Sequence, residues 1–163
     1  MTTGLYSADG YCVRQKAAAN LPYGRCRSSY NGCGWMAAYN LLRAEGRPHT
    51  PEQVRAELAR TLWCGGRMGT RADRLCLYLR RQGVRLTPTL RPSRAAARPG
   101  GIAFYFTGRG GHFVTYLPAG QPGRFRFLNT GAGAPAFVST LPEFRRRHFK
   151  LGLGVFLARS KTR

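Results

Sequence analysis

Cys33 has the residue type and the surroundings that a catalytic nucleophile requires. It lies in residues 31–42, directly before a run of good helix formers that predicts a helix over residues 34–45. A thiol in the first turn of a helix faces unpaired backbone N–H groups and the positive end of the helix dipole, and both favour the thiolate. Gly32 and Gly34 lack a Cβ, so we expect a substrate backbone to approach the sulfur closely. The alternative is a buried structural cysteine in a glycine-flanked turn.

A histidine and an asparagine follow in the second half of the chain. His112 comes directly after the glycine-rich residues 108–111 and opens a predicted strand, where its ring can face a cleft. It can accept the thiol proton and later donate it to the leaving group. Asn129 ends the next predicted strand, and it can orient the imidazole if the two strands are neighbours. Taken singly, His112 would be a strand-end histidine and Asn129 a turn former.

The two reacting groups should influence each other's charge. If Cys33 and His112 form an ion pair, each charge favours the other. We therefore expect the pKa of the thiol to be lowered and the pKa of the imidazole to be raised.

The order of Cys33, His112 and Asn129 resembles that of the papain-like cysteine peptidases. It is nearest to the small bacterial branch that includes the bacteriocin-leader-processing peptidases, on the motifs Cys33-Gly34 with Asn40-Leu41-Leu42, His112-Phe113-Val114 and Asn129. The resemblance covers roughly residues 28–158. It implies a two-layer α+β fold, and cleavage or transfer of a peptide or amide acyl group through a thioester. It implies a peptide or protein substrate, and no cofactor.

One position departs from the pattern of that family. Papain-like peptidases hold a glutamine a short step before the cysteine, where it donates a hydrogen bond to the oxyanion, but Arg27 occupies that position here. Gln15 is an alternative donor if the leading segment folds back, and Asn31 is another. The backbone N–H of Cys33 would supply the second hydrogen bond.

Capping signals and hydrophobic periodicity predict helices in the first half and strands in the second. After the helix of Cys33, capping boxes are predicted at Thr50 with Gln53, Thr70 with Asp73 and Thr140 with Glu143. The second helix should cover residues 51–62, the third should end before Gly83, and the fourth should end near residue 148. A separate helical turn is expected after Ser93, between the third and fourth helices. Strands are predicted at 84–87, 102–107, 112–117, 124–128 and 151–157. The middle three strands should form an antiparallel meander, with the helix of Cys33 packed across it.

The length and the cysteines predict one intracellular domain. A chain of 163 residues can bury a core without disulfides or metals, so we expect a single domain over residues 1–163, with an irregular segment 1–30 and a disordered basic tail 159–163. An odd number of scattered cysteines without a C-x-x-C pair argues against a disulfide framework and a zinc site. Neither a secretory signal nor a membrane span is evident, and a cytoplasmic location fits best.

The charge supports a hypothesis of a different class. A net charge of +21, from 27 Lys and Arg against 6 Asp and Glu, suggests nucleic acid, an anionic surface or an acidic substrate as the partner. Codon bias in a GC-rich genome would also produce an arginine-rich chain. Under this hypothesis a catalytically impaired papain-like scaffold binds nucleic acid or protein through Arg80, Arg81, Arg91, Arg94 and residues 145–147. His49, His148 and Cys64 are poorer catalytic candidates, and His148 is expected on a charged helix face.

Overall fold

The computed structural model describes residues 4–108, 110–131 and 136–160. Within them the chain forms six α-helices and eight β-strands. The helices are α1 Ser28–Asn31, α2 Cys33–Ala44, α3 Pro51–Ala59, α4 Ala72–Arg81, α5 Pro92–Ala96 and α6 Leu141–His148. The strands are β1 Pro22–Tyr23, β2 Cys26–Arg27, β3 Leu86–Thr89, β4 Gly101–Thr107, β5 Gly110–Pro118, β6 Arg124–Leu128, β7 Ala136–Thr140 and β8 Gly154–Arg159. None of these helices is both long and apolar enough to cross a bilayer.

Six strands form one antiparallel sheet in the order β3-β8-β4-β5-β6-β7. The predicted meander is β4, β5 and β6, and the α+β class is confirmed. The last strand, β8, lies between β3 and β4. The register places Tyr105 of β4 directly opposite His112 of β5. β7 was not predicted from the sequence.

Helix α2 packs against β5 in the middle of the sheet. Trp35 and Met36 are fully buried, and the Thr115 hydroxyl of β5 donates a hydrogen bond of 3.1 Å to the Ala37 carbonyl of α2. Helices α3 and α4 share this apolar core. Alternate side chains of the strands point to the other face, where they pack against α5 and α6. There Phe127 of β6 stacks on Phe144 of α6 with ring centroids 4.0 Å apart.

Two of the three predicted capping boxes form. Thr50 accepts from the Gln53 backbone N–H and Thr140 from that of Glu143, and both reciprocal bonds are present. The capping box predicted at Thr70 is wrong, because the Thr70 hydroxyl is hydrogen-bonded at 2.8 Å to the Tyr23 hydroxyl. Helix α4 begins two residues later. A buried tertiary partner has therefore displaced the local cap.

The leading segment, predicted to be irregular, contains a 3₁₀ turn at Gln15–Ala18, the β1–β2 pair and α1. It is attached to α2 by Asn40, whose amide accepts from the Cys12 N–H at 2.7 Å and donates to the Cys12 carbonyl at 2.8 Å. At the other end of the chain, Arg159 belongs to β8, and the Ser160 N–H donates to the Arg85 carbonyl. The predicted disordered tail is therefore wrong for residues 159 and 160, and residues 161–163 lie outside the described residues.

Candidate active site

Cys33 is the first residue of α2 and borders a cleft. The short helix α1 and its C-cap Gly32 turn the chain directly into α2. The Cys33 side chain is only 6% exposed, but it lines a cleft of about 1190 Å³. The first turn of α2 is thus presented to this cleft, as the sequence predicted for a nucleophile.

The glycines beside Cys33 have a different purpose from the one predicted. A Cβ on Gly34 would collide with the Thr70 side chain, and a Cβ on Gly32 would collide with the Ser28 carbonyl and the Trp35 indole. Protein atoms therefore already occupy the space that was predicted to admit a substrate backbone. The two glycines allow close packing of the protein around the start of α2.

His112 lines the same cleft from β5. Its Nε2 lies 2.8 Å from the backbone carbonyl oxygen of Asn129. A carbonyl oxygen only accepts, so Nε2 carries the hydrogen and Nδ1 is the basic atom of the neutral ring. The tautomer is therefore the one in which Nδ1 can accept a proton.

Asn129 uses its backbone and its side chain for different partners. It follows β6 with a φ of +63°, a conformation that asparagine tolerates better than most residues. Its carbonyl holds His112, while its side-chain Oδ1 accepts from the Gln15 N–H at 2.9 Å and its Nδ2 donates to Gln15 Oε1 at 3.4 Å. The Cys-His-Asn triad predicted from the sequence relies on the Asn129 side chain to orient His112, whereas here the Asn129 backbone carbonyl makes that contact.

The leading segment does fold back and brings Gln15 to the cleft. Besides its contacts to Asn129, Gln15 donates from Nε2 to the Ser29 carbonyl at 3.3 Å. Its second amide hydrogen has no hydrogen-bond partner among the described residues. Asn31 also borders the cleft, but its Nδ2 donates to both the Tyr23 and the Gly66 carbonyls. Its amide hydrogens are therefore already used within the protein.

The charge state predicted for the reacting pair is wrong in direction. Burial raises the pKa of the Cys33 thiol, although backbone groups of Phe113, Gly34 and Cys33 itself act to lower it. Burial also lowers the pKa of His112, against the hydrogen bond to Asn129, which acts to raise it. Both shifts disfavour the charged form, because the low-dielectric surroundings solvate ions poorly. We infer that the pair rests as neutral thiol and neutral imidazole.

A second histidine lies near His112, which the sequence analysis did not anticipate. His148, predicted on a charged helix face, lines the cleft, and its ring stacks on Phe144 with centroids 4.4 Å apart. The centroid of its ring also lies 5.4 Å from the centroid of the Tyr105 ring. Burial lowers its pKa, and the nearby Arg147 and His112 lower it further. The available signal was the i, i+4 spacing of Phe144 and His148, which puts both on the inner face of α6.

The remaining candidates lie outside the cleft. The His49 ring is hydrogen-bonded at 3.0 Å to the Gln82 side chain, and Cys64 is exposed in a 3₁₀ turn. Among the described residues, no three His, Cys, Asp or Glu side chains come together as a metal site would need. The cleft thus brings together Cys33, His112, Asn129, Gln15 and Asn31.

The comparisons with known proteins support the fold. No protein-family model and no curated protein sequence matches the chain. Among solved structures, the chain is similar to a double glycine motif protease from an AMS/PCAT transporter, crystallised in complex with the leader peptide. The match has 19% identity and a TM-score of 0.53, and covers 79% of this chain and 84% of that protease chain. The α+β fold of the chain is therefore the papain-like fold of that protease.

Proposed function

We propose that the chain is a cysteine peptidase or acyltransferase that acts on a peptide bond. One observation carries the proposal: in a papain-like fold, the thiol of Cys33 and the ring of His112 border one cleft, with that ring in the tautomer that leaves Nδ1 basic. The double glycine motif protease of the comparison was crystallised with a leader peptide, which supports a peptide as the substrate here. No cofactor takes part in this chemistry.

The reaction begins with two neutral groups. His112 Nδ1 removes the thiol proton as the Cys33 sulfur attacks the peptide carbonyl. The oxyanion accepts hydrogen bonds from the Cys33 backbone N–H and the free amide hydrogen of Gln15. His112 then returns the proton to the amine, the C–N bond breaks and a thioester remains. Water resolves the thioester in a peptidase, and an amine resolves it in an acyltransferase.

Asn129 serves this reaction as a positioning residue in two ways. Its carbonyl fixes the His112 tautomer and ring, and its side chain fixes Gln15 through two contacts. Donors and acceptors that are held in place before the reaction need not reorganise during it.

The proposal is tested with a mixture of peptides analysed by mass spectrometry. We expect the wild-type chain to cut a subset of the peptides, and Cys33→Ala to cut none. The matched control is Cys64→Ala, which removes an exposed thiol outside the cleft and should leave the cleavage pattern unchanged. Cleavage that survives in Cys33→Ala would rule out the proposed nucleophile.

The second hypothesis, a basic binding scaffold, finds less support in the placement of the arginines. Arg80 and Arg81 end α4, which packs on one face of the sheet, whereas Arg94 and Arg145 belong to α5 and α6 on the other face. The arginines expected to bind together are thus divided between two sides of the molecule. A nucleic-acid titration at low salt would test this hypothesis, and binding should weaken steeply as salt is added.

A further inference from the structure

The walls of the cleft around Cys33 carry positive charge from several parts of the chain. We propose that the cleft selects peptides with acidic side chains, with one carboxylate subsite at the end of α6. This inference rests on the proposed peptidase function and names the substrate class of the same site.

Five cationic side chains line the cleft, and all of them are exposed. Two come from the leading segment, one follows the 3₁₀ turn at Cys64–Gly66, and two lie at and just beyond the end of α6. They are Arg14, Lys16, Arg67, Arg147 and Lys150. They therefore come from three separate segments of the chain.

No Asp or Glu side chain lines the part of the cleft that the structure describes. All six acidic residues are elsewhere, at Asp9, Glu45, Glu52, Glu57, Asp73 and Glu143. The ion pairs within the described residues involve Arg71, Arg74, Arg126 and Arg159, none of which lines the cleft. A cleft lined by one sign of charge with low-dielectric walls focuses its field and attracts the opposite charge.

The end of α6 offers the most specific contact for a carboxylate. His148 Nε2 is buried there without a hydrogen-bond partner among the described residues, and Arg147 and Lys150 flank it on the same cleft. Arg147 and Lys150 are both exposed on the cleft, so a substrate carboxylate would lie against these two cations, beside the ring of His148.

Exposed apolar side chains on the same cleft favour a peptide as the occupant. Tyr30, Met68 and Phe106 are 68%, 71% and 48% exposed. Large apolar groups at this exposure on a cleft are typical of a binding surface. A peptide that alternates apolar and acidic side chains satisfies both features of the cleft.

Because the whole surface is basic, the test must separate the cleft cations from the general charge. The variant Arg147→Glu/Lys150→Glu reverses two charges in the proposed subsite. The matched control Arg145→Glu/Arg146→Glu makes the same change in net charge within α6, at exposed residues outside the cleft. Both pairs are placed in a Cys33→Ala background, so that binding is measured without cleavage.

The probes are two rhodamine-labelled peptides of identical length, one with Asp and Glu and the other with Asn and Gln at the same positions. By fluorescence anisotropy we expect the acidic peptide to bind about tenfold more tightly, because several weak charge contacts add together. The cleft variant should lose about this factor, and the control variant less than about twofold. Equal binding of the two peptides, or equal losses in both variants, would overturn the inference.

Two further experiments show whether the acidic preference or the peptidase proposal has failed. If a labelled single-stranded oligonucleotide displaces the acidic peptide and depends on the same cleft residues, nucleic acid replaces the peptide as the preferred partner. Wild-type protein is also tested for cleavage of both peptides. Equally efficient cleavage of both leaves the peptidase proposal intact and rejects the acidic preference. Selective binding of the acidic peptide without cleavage retains the preference and rejects the peptidase.

Discussion

The double role of Asn129 leads to a prediction at the scale of single residues. Asn129→Gly retains the carbonyl that holds His112 and tolerates the φ of +63°, but removes the side chain that holds Gln15. We expect its kcat/KM to fall about as far as that of Gln15→Ala, by about tenfold to a hundredfold. The double variant should be about as active as Gln15→Ala alone, because the Asn129 side chain is proposed to act on the reaction through the Gln15 amide.

Comparing the wild type, the two single variants and the double variant shows whether Asn129 orients His112 through its main chain or through its side chain. If the Asn129 amide orients His112, Asn129→Gly will lose much more activity than Gln15→Ala and the two losses will add. The measurement is the initial rate of peptide cleavage by each of the four proteins.

The neutral resting pair predicts how Cys33 reacts with iodoacetamide as the pH changes. Burial raises the pKa of the thiol, so the thiolate should form only in the alkaline range, above the usual value of about 8.5. We expect one alkaline rise in the alkylation rate of Cys33, measured by mass spectrometry, in both wild type and His112→Ala. A wild-type plateau that begins at acid pH and disappears in His112→Ala would demonstrate the ion pair.

At the scale of the elements, Asn40 connects α2, which carries Cys33, to the segment that carries Gln15. It is fully buried in α2 and makes both hydrogen bonds to the Cys12 backbone. Asn40→Leu would leave that backbone N–H and carbonyl unpaired, which should lower the free energy of unfolding by about 2 to 4 kcal/mol. Urea unfolding measures the loss, and Gln53→Ala, which removes only one side of an exposed cap, should cost less.

Most of the elements could be predicted because their signals are local. The capping boxes at Thr50 and Thr140 form from residues three positions apart, and the alternation in β6 appears directly in the sequence. The signal at Thr70 is equally local, but the hydroxyl of Tyr23, 47 residues earlier, competes for the same oxygen. A tertiary partner of this kind cannot be inferred from periodicity.

The site was predictable in its residue types and less so in its contacts. Cys33, His112, Asn129 and Gln15 were candidates from type and order, and all four border one cleft, while their catalytic roles stay predictions. The carbonyl contact of Asn129 depends on one backbone dihedral. His148 was missed because it follows three arginines, which indicated a charged helix face. It instead shares the inner face of α6 with Phe144.

At the scale of the whole molecule, the partly buried histidines His112 and His148 make stability depend on pH. The pKa values of His112 and His148 are lowered by burial, so the unfolded chain binds more protons below its ordinary histidine pKa. Their stabilising contribution is fully present above about pH 6.5 and is lost as the pH falls toward the folded pKa values. The urea midpoint should drop between about pH 7.5 and about pH 5, and less steeply in His148→Phe. An identical drop in that variant would exclude His148 as a contributor.

The most direct test of the account is which cysteine of the folded protein reacts with a peptidyl acyloxymethyl ketone. Solvent exposure alone predicts labelling of Cys64, which is exposed, whereas the proposed chemistry predicts labelling of Cys33, which is only 6% exposed. The account predicts that mass spectrometry finds the label on Cys33, that His112→Ala prevents labelling and that Cys64→Ala does not. Labelling that follows exposure, with Cys64 modified and Cys33 unmodified in the native protein, would contradict the account.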